Sequence, residues 1–186
     1  MPSPAAARGR EVRQRLLAAA VELIPERGWS AVSTRNLAER AGVNPSVVHY
    51  HFPSLSALLN EAAVGVLRRV LGEVDTVLES ADTPAEAVEA IVSAAQRYTG
   101  DDPTSLLAIE AYLAAARGEP LRDEVGGMVA EFRRRFGHWL GEHGVSDPER
   151  TAGVVLATVD GLLLHRGMGA GMDTEPTAAV LRRLVS

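Results

Sequence analysis

The chain has no cysteine. That excludes a disulfide framework and any metal site built on thiolates. Aromatic residues are scarce, at 4%, while hydrophobic residues make up 46% of the 186 positions. The core must therefore be built from Ala, Val and Leu, which favours packed helices over sheets. No segment alternates apolar and polar residues as a half-buried strand does. Long apolar runs are also missing. The most apolar stretch, 154–164, is interrupted by Asp160 and followed by Arg166, too short and too charged to span a bilayer. The opening residues, M-P-S-P-A-A-A-R-G-R, lack the apolar run of a signal peptide. A cytoplasmic, all-α protein with no membrane partner is expected. There is no Gly-rich phosphate loop, nucleophile motif or metal-ligand spacing, so an all-helical enzyme has no support and no cofactor is expected.

The net charge of −5 is unevenly distributed. Residues 1–55 hold seven arginines against four glutamates, so the remainder is strongly acidic. A basic N-terminal end on an acidic body suits a protein that offers one end to nucleic acid.

The informative stretch is 33–58, S-T-R-N-L-A-E-R-A-G-V-N-P-S-V-V-H-Y-H-F-P-S-L-S-A-L. Ser33 can cap a helix whose Leu37, Ala38 and Ala41 share one face. Gly42 stops that helix where a left-handed residue is needed. Asn44 is an N-cap and Pro45 is pre-set for the first helical position. Val48 and Phe52, four apart, give the second helix a buried side. Two helices meeting so tightly need a small residue at the contact, glycine at the corner and a branched apolar residue inside. Ala38, Gly42 and Val48 fill those places. This is the helix-turn-helix arrangement, whose second helix enters the major groove. With Val48 inward, Ser46, Val47, His49 and Tyr50 turn outward or sideways, where they can meet phosphates, base edges or a thymine methyl. His49 and His51 are two apart on a helix and cannot share a metal face, so no metal is expected.

The same residues, V-S-T-R-N-L-A-E-R-A-G-V-N-P-S-V-V-H-Y-H-F-P-S-L-S-A-L-L, resemble the DNA-binding signature of the tetracycline-repressor (TetR) family. The likeness covers about residues 12 to 60. It implies that Thr34 and Arg35 approach DNA along with Asn44, Pro45, Ser46, Val47, His49, Tyr50, His51 and Ser54, and that Arg35 is the best reader of a guanine edge. A salt bridge from Arg35 to Glu39 is the competing role. The chain departs from the family at His49, where tyrosine is common, and at Leu55, where a phosphate-gripping lysine is common.

The expected organisation is a flexible basic arm over 1–9, a three-helix DNA-binding domain over 10–54, and a helical ligand-binding and dimerisation domain over 55–186. About nine helices are expected. The first runs from about Arg10 to Arg27, with Pro25 kinking or shortening its end. A long helix from about Leu55 to Glu79 links DNA to the second region. Further helices are expected at about 84–99, 103–117, 120–143, 148–168 and 176–185, several opened by proline.

Two more sites follow. Gly153, Ala157 and Gly161 form a ridge of small residues on a helix apolar almost all round. With Asp160, Leu164, Leu181 and Leu184 they are the candidate interface of a homodimer, against the alternative of a helix buried within one chain. A pair of heads would read a palindromic operator. By resemblance, the middle helices hold a small effector, with Tyr98, Ile109, Glu110, Tyr112, Leu113, Phe132, Phe136, Trp139 and His165 as the candidate lining. Core packing of the aromatics, and a Glu110–Arg117 pair, compete with that role. The resulting expectation is a repressor released by an apolar or aromatic ligand. The alternative is a helical ligand-binding or scaffold protein with weakened DNA binding.

Overall fold

A computed structural model describes residues 4–186. Among these residues there is no strand. The helices are α1 (Pro4–Arg27), α2 (Thr34–Ala41), α3 (Pro45–His51), α4 (Leu55–Ser80), α5 (Pro84–Ala94), α6 (Pro103–Arg117), α7 (Glu119–Glu142), α8 (Pro148–Gly167) and α9 (Thr174–Arg182), with short 3₁₀ turns at Trp29–Ala31 and Ala95–Arg97.

The chain divides into two compact units. The first is the chain up to Leu67 together with Leu106–Arg122; the second is Arg68–Ser105 with Asp123–Ser186. The division differs from the expected boundary at 54/55. The opening turns of α4 bury Leu58, Leu59, Ala62 and Ala63, and α6 adds Leu107, Ala111 and Ala115 to the apolar interior of the first unit. The core under α1–α3 is Leu16, Ala20, Leu23, Ile24, Leu37, Ala38, Val48 and Phe52.

In the second unit, Val88, Ile91 and Val92 of α5 pack with Phe132, Phe136 and Leu140 of α7, Val155, Leu156 and Leu162 of α8, and Ala178 and Leu181 of α9. No helix of the described residues is long and apolar enough to cross a membrane.

Several expectations need correction. The expected arm over 1–9 does not extend to residue 9: α1 already starts at Pro4, because proline suits a helix start and three alanines follow it. Residues 1–3 of the expected arm lie outside the described residues. Pro25 does not shorten α1, which continues to Arg27; the Gly28 amide still reaches the Ile24 carbonyl at 2.9 Å. Helix α5 stops at Ala94 rather than 99, and Tyr98 is extended. The Arg166 guanidinium donates to the Ala95 and Tyr98 carbonyls at 2.8 and 3.1 Å, while the Ala95 carbonyl also accepts from the Tyr98 amide at 3.2 Å where the chain tightens into a 3₁₀ turn. Helix α9 opens at Thr174, not Pro176, and ends at Arg182.

Candidate nucleic-acid interface

The corner between α2 and α3 is built by local chemistry. Ser33 accepts from the Asn36 amide at 3.3 Å, and the Asn36 side chain accepts from the Ser33 amide at 2.9 Å. This reciprocal cap satisfies two amides that a helix start would leave orphaned. Gly42 ends α2 at φ 66°, ψ 39°, in the left-handed region, and its next amide, from Val43, reaches back to Ala38 at 3.0 Å. Asn44 then caps α3, accepting from the Ser46 amide at 3.2 Å, with Pro45 at the first position. Leu37, Ala38, Ala41 and Val48 are all buried.

Electrostatics fix the pair onto α1. Arg40 of α2 makes a fork to Glu26 at 2.6 and 2.9 Å and a third bond to Glu22 at 2.9 Å. The hydrogen bond from Arg40 holds the Glu26 carboxyl below its ordinary value, and the two glutamates raise the Arg40 guanidinium. Arg13 of α1 pairs with Glu61 of α4 and lies over the Phe52 ring, 4.7 Å from its centroid. Arg15 donates to the Ala41 carbonyl at 3.4 Å.

The outward flank of α3 is then defined. Tyr50 is 83% exposed although it stands two residues from the fully buried Val48. His49 is exposed, Val47 is half-buried, and Ser46 is exposed with its hydroxyl on Asn44 Oδ1 at 3.1 Å. His51 is half-buried, with its ring edge-on to Tyr50 at 5.0 Å. Thr34 is half-buried at the start of α2, and Arg35 beside it is exposed. Asn44 and Pro45 are exposed at the corner; Ser54 is exposed and caps α4 by accepting from the Ala57 amide at 3.0 Å. Every basic side chain here apart from histidine is arginine, since the chain contains no lysine.

Two findings place the chain. Residues 16–62 match the family model described as bacterial regulatory proteins, tetR family, and residues 82–186 match the tetracyclin repressor-like C-terminal domain. The chain belongs to the TetR family. Its relatives include the HTH-type transcriptional regulator BetI of Rhizobium meliloti (strain 1021), 27% identical over 179 residues that cover 94% of this chain and 87% of that protein. Among solved structures, the regulator SCO7518 from Streptomyces coelicolor A3(2) is 31% identical with a TM-score of 0.78, covering 95% of this chain and 99% of that one. A regulator from Saccharomonospora viridis, solved in complex with choline, shares the fold at a TM-score of 0.77 and 20% identity, over 95% of this chain and 96% of that one. TetR-family regulators are DNA-binding transcription factors, not enzymes, and they act as dimers that respond to small molecules.

The effector candidates of this TetR-family chain divide between the two units. Phe132 and Phe136 are buried in the second unit's core with centroids 5.7 Å apart, and Trp139 continues the row onto His143 at 4.0 Å. Tyr98 is half-buried, its hydroxyl 3.4 Å from both Glu73 carboxylate oxygens. Burial first, and then the Glu73 charge, push that phenol up. His165 is exposed on α8. In the first unit, Ile109 and Tyr112 are half-buried. Glu110 and the 48%-exposed Leu113 line a cavity of about 400 Å³. The partner of Glu110 is backbone rather than the expected Arg117: its Oε2 accepts from the Trp29 amide at 2.8 Å.

The interface candidates need one clear correction. Leu181 is 4% exposed, within the second unit's own core, because the face of α9 that carries Ala178 and Leu181 is the covered one. Gly153 lies against Arg133 of α7, so its part of the ridge is occupied within the chain. Ala157 is exposed, Gly161 has open space beyond it, Asp160 is half-buried, and Leu164 and Leu184 are 44% and 45% exposed. Sequence reasoning missed Val154, Met168 and Val180, which are also exposed. Val154, Ala157, Gly161, Leu164 and Met168 follow a three–four spacing that marks one seam of a helix. That seam was legible in the spacing but masked by apolar residues on the other sides of α8.

Proposed function

We propose that this chain is a repressor that binds a palindromic operator as a homodimer and leaves it when a small effector binds. The observation that carries the reading is the contrast across α3. Val48 anchors one side of the helix at 0% exposure, while Tyr50, His49 and Arg35 of the neighbouring helix are exposed. Side chains in that arrangement reach phosphates and base edges once α3 enters a major groove. The apolar seam on α8, with Val180 of α9 and Leu184 just beyond it, supports pairing of two copies. Two heads then meet successive grooves about 34–36 Å apart.

The effector is a small apolar or aromatic molecule, and choline, which the Saccharomonospora viridis regulator holds, belongs among the compounds tested. Helix α4 contributes residues to both units, and this supports it as the route by which effector binding alters the heads. Such a route works only if the effector prefers one state over the other.

The test is selection of bound duplexes from a random pool, followed by anisotropy titration with and without effector candidates. A two-fold symmetric site bound by a dimer supports the proposal. Failure to enrich any sequence, or binding as a monomer, refutes it.

A further inference from the structure

We infer that the first unit carries a small-molecule site of its own, between α6 and the turn that leads into α2, suited to an elongated zwitterion. The inference goes beyond the repressor reading, because the site belongs to the unit that carries the helix-turn-helix and is argued from its own cavity.

The cavity of about 400 Å³ falls in the range of small-ligand pockets. Four of its lining residues, Glu110, Leu113, Ala114 and Arg117, come from α6. Their spacing puts them on one face of the helix. Along that face the order is carboxylate, two apolar groups, guanidinium. The charged residues are seven apart, or about 10 Å along the axis. A ligand that answers this pattern carries an ammonium at one end, an aliphatic middle and a carboxylate at the other. A chain of about 7 Å between the two charged groups, as long as roughly two extended residues, lets both side chains reach it.

The facing wall suits the cationic end. Trp29 lines the cavity, and an indole face attracts an ammonium. Asn60 lines it too, a polar side chain held at 8% exposure. One Glu110 oxygen accepts from the Trp29 amide at 2.8 Å, which holds the carboxylate at the wall and leaves its second oxygen for a ligand donor.

The position gives the site a consequence for DNA reading. Trp29 opens the 3₁₀ turn Trp29–Ala31, and the Ala31 carbonyl accepts from the Asn36 side chain at 3.1 Å. Asn36 is half of the cap on α2. An ammonium on the second Glu110 oxygen shares the carboxylate with the Trp29 amide, and so acts on the first link of this short chain, Trp29 to Ala31 to Asn36.

The experiment is calorimetric titration of the full chain with ε-aminocaproate, and separately with hexylamine and hexanoate, which each keep one charge. The expected result is binding of ε-aminocaproate at least about tenfold tighter than either analogue, with movement of the Trp29 amide resonance. E110Q and R117M should each reduce ε-aminocaproate to the level of the single-charge compounds. Equal binding of the three compounds, no binding of any, or wild-type binding by folded R117M overturns the inference. Arg117 is exposed, so that variant tests the site without disturbing a core. Operator titration without added compound reads the repressor proposal separately, so either can fail alone.

Discussion

Replacing Tyr50 with alanine should separate reading from folding, and Val48→Ala is its counterpart. Tyr50 is 83% exposed and Val48 is fully buried, yet they lie two residues apart on α3. Removing an 83%-exposed ring changes stability by no more than about 0.5 kcal/mol. Its hydroxyl, bonded to a charged phosphate, contributes about 1.5 kcal/mol per head. Two heads lose about 3 kcal/mol, or roughly 150-fold in Kd. The tyrosine is neutral and displaces no counterion of its own, so the slope of log affinity against log salt should stay as in the wild type. Val48→Ala removes two buried carbons, about 1.6 kcal/mol of transfer energy, and the cavity raises this to about 2–3 kcal/mol. That should lower Tm by about 5–10 °C. The assays are thermal melting and anisotropy titration on the selected operator over a salt series. If Tyr50→Ala binds operator with wild-type affinity, the outward flank of α3 is not the reading surface. If Val48→Ala melts with the wild type, the propping of that flank has been misjudged.

Arg35→Ala should relax sequence preference at one position of each half-site and cost on the order of 1–3 kcal/mol if the guanidinium reads a guanine; competition between single-base operator variants checks this. Leu164→Asp places a charge in the exposed seam of α8 and should convert the dimer to monomer in light scattering at micromolar concentration, with loss of tight operator binding. Gly100→Ala should destabilise by at least about 2 kcal/mol, measured by urea titration. Gly100 has φ 88° and its added carbon would meet backbone atoms of Gly167 and Leu163. Asp102 gives a pH dependence. Burial pushes its carboxyl up, but the Ser105 hydroxyl and the amides of Ser105, Thr99 and Thr104 outweigh this and hold it below its ordinary value. A carboxyl lowered in the folded state contributes stability above its unfolded value, and that contribution disappears as pH falls through the folded value. The D102N variant should therefore lose the part of the acid destabilisation that the wild type shows below about pH 4, read from urea midpoints at pH steps.

The DNA-reading corner was legible because its determinants are local. Ser33, Gly42, Asn44 and Pro45 each act on backbone within three residues, and each does so in the structure. Ends governed by distant partners were not legible. Nothing near Ala94 announces that Arg166 will take the Ala95 and Tyr98 carbonyls and end the helix there. Glu110 stood out only as a charge in an apolar run, while its partner is Trp29, far away in sequence. Leu181 lies in α9 and Leu184 in the turn just after it, and one is 4% exposed while the other is 45%. A helix running to 185, as expected, would put these two residues, three apart, on one face; the end of α9 at Arg182 parts them. The family resemblance names candidate DNA contacts on α3 residue by residue. It carried little into the effector candidates, where the aromatics follow core packing as readily as ligand chemistry.

The arginines of the N-terminal region bear on the proposed pairing of two heads. Arg13, Arg15 and Arg40 are engaged with Glu61, the Ala41 carbonyl, and Glu22 and Glu26, so they hold the unit together instead of facing phosphate. The chain has no lysine, and Leu55 stands where the family's usual phosphate contact would come from. On the proposed reading, each head would offer DNA the exposed Arg35 with Ser46, His49 and Tyr50, while Arg8 and Arg10 also stand exposed on α1. Contacts of that kind are selective but individually weak. Joining two heads makes the second binding event intramolecular, and the gain depends on their spacing matching the operator. On the proposed mechanism the effector does not need to block the reading surface. A modest change in the position or capping of one head removes the second event, and with it most of the affinity.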